Sequence, residues 1–365
     1  MPESRKTLII GGQLKKARKL LQLTLEEVEQ LINVRREEIE TWEKGLSEPS
    51  LKQLEELAKL YGRNVDYFLR ETPDPPEKIE FRGKPGQSLK NISIQSKLVL
   101  ARFDELCRIA LDIERLLNKR REIKLQRFTT SDSPKAIAQY LRQKFGADDK
   151  PLANLRDKVE ASGFCVFELP VPEDTFSGFS FWHSEYGPCI LLNAKEPIGR
   201  RNFTLAHELA HLLYDHGSSL CYIHLSFDRT SKSMESLANQ VAVELMMPKN
   251  GIIADFQKRD FTSPPTEKEL IAMAAKWHVS FQALGYRLEN LDLITHGITD
   301  KYVESKPKHF RRSKTPTWER RLGKRFVKTS IEAYQKNIIS IGKLALVLQI
   351  PIRKAVERIE GVVKE

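Results

Sequence analysis

Cysteine is scarce in this chain of 365 residues, and what there is lies scattered: Cys107, Cys165, Cys189 and Cys221 form no CxxC pair. That spacing excludes a disulfide framework and a cysteine-built zinc site, and predicts four reduced thiols. Long hydrophobic runs are missing as well. No apolar stretch approaches the ~18–20 residues that cross a bilayer. The opening Met-Pro-Glu-Ser-Arg-Lys-Thr-Leu-Ile-Ile has no apolar region of secretory length. The expectations are no membrane partner and a cytoplasmic location. No internal repeat of full-domain length is visible. Net charge is nearly absent from residues 1–70, where 13 Lys/Arg face 12 Asp/Glu.

The charge is elsewhere. The chain carries +11 overall, and residues 301–328 hold 11 Lys/Arg against only Glu304 and Glu319. Such clustering favours an acidic partner such as nucleic acid, with a solvated basic loop as the plainer reading. A hydrophobic fraction of 40% beside 30% charged residues suits a globular protein. At roughly 100–200 residues per domain, the length predicts two or three domains.

Residues 12–70 read as a compact helical unit. Leu14, Ala17, Leu20 and Leu21 have helical spacing. Thr24-Leu25-Glu26-Glu27 is a capping box that opens a second helix through Val28, Leu31 and Ile32. A break near Asn33 leads to a third helix through Ile39 and Trp42, ended by Gly45 and Pro49. Leu51, Leu54, Leu57, Ala58 and Leu60 mark a fourth, and Tyr61 to Leu69 a fifth. Pro73, Pro75, Pro76 and Pro85 with Gly83 and Gly86 make 71–90 a linker. Residues 91–127 are helix-patterned up to the basic run Lys119-Arg120-Arg121, and Ser133-Pro134 starts another helix. Phe164–Phe167 and Cys189–Leu192 read as short buried strands, punctuated between by Gly178 and Gly187. Helices are expected at 201–214, at 233–247 with Pro248 as the stop, at 266–278 and at 280–290. Lys306–Lys314 is basic and loop-like. Helical pattern then resumes from Leu322 to Tyr334, and Ile339–Leu348 with Ile350–Ile359 has the rhythm of a small helix-turn-helix unit, to which no DNA contact is assigned. The expected division is 12–70, a linker at 71–90, a domain at 91–295 with its core at 130–290, and a basic and helical region at 296–365.

One segment carries chemistry: Thr204-Leu-Ala-His207-Glu208-Leu-Ala-His211 contains HExxH. Residues four apart share a helix face, so both imidazoles can face one zinc while Glu208 stands beside them to take a proton from the attacking water. Phe203, Leu205, Ala206, Leu209, Ala210, Leu212 and Leu213 make the helix apolar nearly all round, hence buried. Two histidines and a glutamate inside a core need a compensating partner, which a metal supplies. A catalytic zinc usually takes three protein ligands. The HExxHxxGxxH pattern is excluded, because positions 214 and 217 are Tyr214 and Gly217. Glu235 on the next helix is the better candidate, with Asn239 one turn on to hydrogen-bond and orient a ligand. His216, His224, Asp228 and Glu244 compete. For stabilising an oxyanion, Tyr214, Tyr186, His183 and His216 are candidates.

Two resemblances follow from these motifs. Ser177-Gly178, Asn193, the run Arg201–His211, and Glu235-Ser-Leu-Ala-Asn239-Gln-Val-Ala242 through Pro248 resemble the ImmA/IrrE metallopeptidases over residues 130–290. The resemblance implies a small α+β, zincin-like (gluzincin-type) domain holding one zinc through His207, His211 and Glu235, with Glu208 as catalytic base. It also implies an endopeptidase that cleaves a repressor or other regulatory protein in a phage, mobile-element, stress or toxin–antitoxin circuit. Residues 12–69 resemble the Cro/CI-like (XRE) helix-turn-helix family through Leu14, Ala17, Arg18, Thr24, Leu25, Val28, Ile39, Trp42, Glu43, Gly45, Pro49, Leu54, Leu57 and Ala58. That implies double-stranded DNA as a partner, a homodimer, and a third helix whose first residues, Arg35 and Arg36 among them, meet the major groove. Glu37, Glu38, Glu40 and Glu43 on the same helix weaken phosphate attraction. The expected fold is mainly α and multidomain: a five-helix bundle, the α+β peptidase domain and a C-terminal helical region. The competing readings are a DNA-binding regulator or antitoxin whose peptidase fold is a scaffold or sensor, and a helical adaptor for another protein.

Overall fold

A computed structural model describes residues 3–21, 23–63, 65–69, 93–172, 176–214, 219–221, 234–259, 261, 265–304 and 317–363. The expected linker at 71–90 and the basic loop at 306–314 lie outside them. The chain divides into two compact units, one made mostly of Met1–Ala110 and one of Leu111–Val171 with Phe176–Glu365. The fold is mainly α and multidomain, with 18 helices and one small sheet among the described residues.

The first unit contains α1 (Glu3–Leu20), α2 (Leu25–Ile32), α3 (Arg36–Glu43), α4 (Leu51–Leu60), α5 (Val65–Phe68) and the first part of α6 (Ile94–Leu116). Local chemistry sets its boundaries. Thr24 accepts from the Glu27 amide at 3.1 Å while Glu27 accepts from the Thr24 amide at 2.7 Å, the reciprocal capping box. Asn33 closes α2 in the left-handed region at φ 52°, and Ser50 caps α4. Leu14, Val28, Ile39, Leu57 and Phe68 fill the core. Arg18 makes a two-pronged pair with buried Glu43 at 2.6 and 2.8 Å and donates to the Leu23 carbonyl at 2.7 Å, tying α1, α3 and the α2 entry together.

α6 ends at Leu116, short of the 127 expected from its pattern. Asn118 turns left-handed at φ 53°, and Lys119–Phe128 then runs without helix.

The second unit continues with α7 (Pro134–Lys144), α8 (Leu155–Ala161), β1 (Cys165–Leu169), β2 (Gly178–His183), β3 (Gly187–Asn193), α9 (Ile198–Leu213), β4 (Ser219–Cys221), α10 (Met234–Met246), α11 (Lys249–Gln257), α12 (Glu267–Lys276), α13 (Phe281–Asn290) and α14 (Ile298–Glu304). It closes with α15 (Trp318–Leu322), α16 (Lys324–Gln335), α17 (Ile341–Leu348) and α18 (Ile352–Val363). The sheet order is β1-β3-β2-β4, with β1 parallel to β3 and the other pairs antiparallel. β2 is a strand that the sequence pattern did not predict. Its flanking glycines read as loop punctuation, yet Phe179 pairs with Leu191 and Phe181 with Cys189 in a hairpin with β3. α9 starts one turn before the expected Arg201, behind Pro197 at its N-cap. Pro248 does end α10, and it also caps α11, a helix that was not expected.

α9 packs against β2 and β3 on one side and α10 on the other, and α10 packs also on α7. Three buried arginines brace this layer. Arg142 of α7 donates to the carbonyls of Asp148, Lys150 and Leu245. Arg287 of α13 donates to the Met247 carbonyl at 3.0 Å and to Glu244 at 2.7 Å. Arg201 of α9 pairs with Glu168 of β1, both almost fully buried. The far end of the chain joins the same body, because α15 packs on β1 and α16 on α8.

Candidate metal centre

His207 and His211 stand one turn apart on α9, 1% and 2% exposed, with their Nε2 atoms 2.9 Å from each other. Glu235, in the first turn of α10, reaches both: Oε2 lies 3.3 Å from His207 Nε2 and Oε1 lies 3.4 Å from His211 Nε2. These three side chains are the one His/Cys/Asp/Glu group among the described residues able to hold a metal ion. The donor set fits. At zinc–ligand distances of about 2.0–2.1 Å, two corners of a tetrahedron stand ~3.3 Å apart, close to the separations seen. The tautomer fits as well. Asn239 Oδ1, which can only accept, lies 2.9 Å from His207 Nδ1, so Nδ1 carries the proton and Nε2 turns its lone pair inward.

Burial lowers the His207 pKa, and the Glu235 hydrogen bond pulls the other way. Burial acts downward on His211 too, but its hydrogen bond to Glu235, with the charges of Glu235 and Glu208, brings the net shift upward. For Glu235, burial raises the carboxyl, and the two imidazoles more than reverse that, leaving it well below the usual carboxylate range. A half-exposed carboxylate between two imidazoles is therefore held ionised, as a ligand must be.

Glu208 lies behind the cluster and is fully buried. Burial pushes its carboxyl up to about 8, against the pull of His211 and the Ser180 hydroxyl. Ser180 Oγ of β2 donates to Oε2 at 2.5 Å, while Oε1 has no hydrogen-bond partner among the described residues. The space that admits this carboxylate is set by β2. Gly178 and Ser180 alternate onto the strand face under α9, and a Cβ at position 178 would sit 2.7 Å from Glu208 Oε1. Sequence reasoning missed Ser180. The signal was available as small residues at i and i+2 of an otherwise aromatic run, but it required recognising the run as a strand.

The remaining candidates fall elsewhere. Glu244 is engaged by Arg287, and His216, His224 and Asp228 lie outside the described residues. His183 stacks on Tyr186 with ring centroids 3.6 Å apart, and its Nδ1 accepts from the amides of Glu185 and Tyr186, so that it closes the β2–β3 turn. Tyr214 is the C-cap of α9. Asn193 accepts from the Val171 and Lys195 amides, bracing the entry to α9. In the first unit Arg35 occupies the N-cap position of α3 without a side-chain capping bond, and Arg36 begins the helix. Both are exposed and already paired, Arg35 with Glu38 at 3.0 Å and Arg36 with Glu26 at 2.8 Å.

A helix bearing two imidazoles and a buried glutamate, joined by a carboxylate from the next helix over a small sheet, is the arrangement of a metallopeptidase-like domain. Residues 159–289 match the family model described as the IrrE N-terminal-like domain of Peptidase M78, and residues 14–68 match the one described as a helix-turn-helix. Residues 159–289 are thus similar to the ImmA/IrrE-type, peptidase-like domain, and residues 14–68 to an XRE-type helix-turn-helix. Comparison with curated proteins returns no match. No described helix is long and apolar enough to cross a membrane.

Proposed function

We propose that this protein is a zinc-dependent endopeptidase that cleaves a DNA-bound regulator, such as a repressor in a phage, mobile-element, stress or toxin–antitoxin circuit. The observation that carries this reading is the pairing of a complete His207–His211–Glu235 donor set with a buried glutamate that no ligand role requires. A bound zinc supplies Lewis acidity toward a peptide carbonyl and the attacking water. The chain supplies the rest. Asn239 fixes the His207 ring. Ser180 holds one oxygen of Glu208, leaving Oε1 to take a proton from water and return it to the leaving amine. A carboxyl raised above the usual carboxylate range is, once ionised, the stronger proton acceptor. The helix-turn-helix, with Arg35 and Arg36 at the start of α3, would bring the peptidase to regulators on DNA, as a homodimer.

The test strips the purified chain with a chelator and titrates zinc, with His207→Ala alongside. Glu208→Gln is assayed on a fluorogenic peptide library. One tight zinc per chain, lost in His207→Ala, together with zinc retained but turnover abolished in Glu208→Gln, supports the reading. Absence of specific zinc, or full turnover in Glu208→Gln, overturns it.

A further inference from the structure

The last three helices repeat the first unit's helix-turn-helix at a constant offset, with few identical residues to advertise it. Ser340 caps α17 with φ −74° and ψ 164°, accepting from Lys343 N at 3.2 Å, as Thr24 caps α2 with φ −78° and ψ 165°, accepting from Glu27 N at 3.1 Å. Both helices span eight residues and close on a left-handed residue that is not glycine, Gln349 at φ 56° and Asn33 at φ 52°. One buried apolar residue follows each, Ile350 and Val34, both 9% exposed. Next comes a single exposed residue, Pro351 or Arg35, and the next helix begins. Leu344 stands where Val28 stands and Ala355 where Ile39 stands, each fully buried or nearly so. α16 precedes the pair as α1 precedes α2.

The two units differ where a recognition helix would meet DNA. The first turn of α3 is acidic, with Glu37 and Glu38 beside its arginines. α18 opens with exposed Ile352, Arg353 and Lys354 and no acidic residue in its first turn. Residues 317–365 hold eleven Lys/Arg against five Asp/Glu, whereas residues 1–70 are nearly balanced. Arg353 pairs with Glu357 at 3.0 Å, but the two side chains are 90% and 57% exposed, a geometry in which an ion pair holds weakly and a phosphate competes. Ile352 and Val356, one turn apart and 56% and 38% exposed, add apolar atoms suited to thymine methyl groups.

We propose that α16–α18 form a second helix-turn-helix that binds double-stranded DNA through the first turns of α18, with Arg353 and Lys354 as phosphate or base contacts. The proposed contacts include no residue of the metal centre and neither Arg35 nor Arg36, so their failure leaves both other readings standing.

The test uses the full chain and a labelled pool of random-sequence 30-base-pair duplexes, titrated across a salt series. Arg353→Ala with Lys354→Ala should lower affinity about tenfold or more and reduce the salt slope by about 2, since each lost phosphate contact removes roughly 0.9. Lys258→Ala with Lys268→Ala, which removes equal charge from exposed positions elsewhere, should leave both unchanged. Glu357→Gln, which releases Arg353, should tighten binding, and it keeps the test meaningful if the double variant proves unstable. The proposal is overturned if the Arg353/Lys354 variant binds like the parent, if the Lys258/Lys268 control loses as much, or if Glu357→Gln has no effect. A variant that changes only the oligomeric mass would mark α18 as a self-association face and would equally overturn it.

Discussion

Gly178→Ala isolates the contribution of the sheet to the metal centre without touching any proposed ligand. The new Cβ would lie 2.5 Å from Thr204 Cγ2, 2.7 Å from Glu208 Oε1 and 3.0 Å from Glu208 Cγ. Carbon atoms in contact rest at about 3.5–4.0 Å, so the overlap with Thr204 is roughly 1 Å. Thr204 has little room to turn, being fully buried with Oγ1 donating to the Arg200 carbonyl at 3.0 Å. β2 is held by its ladder to β3. The relief therefore falls on Glu208, which must swing from Ser180 by something near 1 Å. Overpacking of this kind costs about 1–3 kcal/mol of stability. A misplacement of that size in a catalytic group costs on the order of 100-fold in rate. Urea unfolding, zinc stoichiometry and steady-state turnover on one preparation separate these effects. The expected result is a modest stability loss, one zinc retained, and kcat down by about two orders of magnitude. Parent-like turnover in a folded Gly178→Ala protein would refute the argument that β2 positions Glu208.

Three further outcomes follow from the same geometry. Asn239→Ala removes the acceptor that orients His207 and should weaken zinc about 10–100-fold in a competition titration with a chromophoric chelator; unchanged affinity would deny Asn239 that role. Glu168→Gln leaves buried Arg201 without the carboxylate it pairs with, and neutralises one of the two carboxylates that pair with Arg156, so the second unit should lose about 3–5 kcal/mol in denaturant unfolding, whereas a loss below ~1 kcal/mol would contradict a paired buried network. Hydrogen bonds from Lys119 and Lys336 hold the Glu332 carboxyl down to about 2 from an ordinary 4.5, so its contribution is complete above pH 4.5 and disappears as pH falls through 2; Glu332→Gln should flatten the fall in melting temperature across that window, and parallel profiles would exclude the contribution.

The features legible in the sequence share one property: they are settled within a few residues of chain. The capping box at Thr24 and Glu27, the break at Asn33, the start at Pro134 and the shared face of His207 and His211 depend on i, i+3 and i, i+4 geometry, which a helix imposes wherever it forms. The all-apolar surroundings of Glu208 likewise announced a buried helix. β2 was not legible, because a six-residue strand is defined by its partner, and Gly178 and Gly187 look like turn residues until the pairing with β3 is known. Ser180 escaped with it, since its function is a contact across 28 positions of chain. The similarity of α16–α18 to the first unit was audible as rhythm, but cap angles, the left-handed Gln349 and the matched burial of Ala355 and Ile39 are properties of the folded backbone. Local sequence determined most of the helix starts and placed His207, Glu208 and His211 on one helix. Tertiary structure alone decided what stands opposite them: the distances at which Glu235 meets the two imidazoles, the strand that leaves room for Glu208, and the reach of Glu26 across to Arg36. Those outcomes depend on long-range packing, which no window of the chain contains.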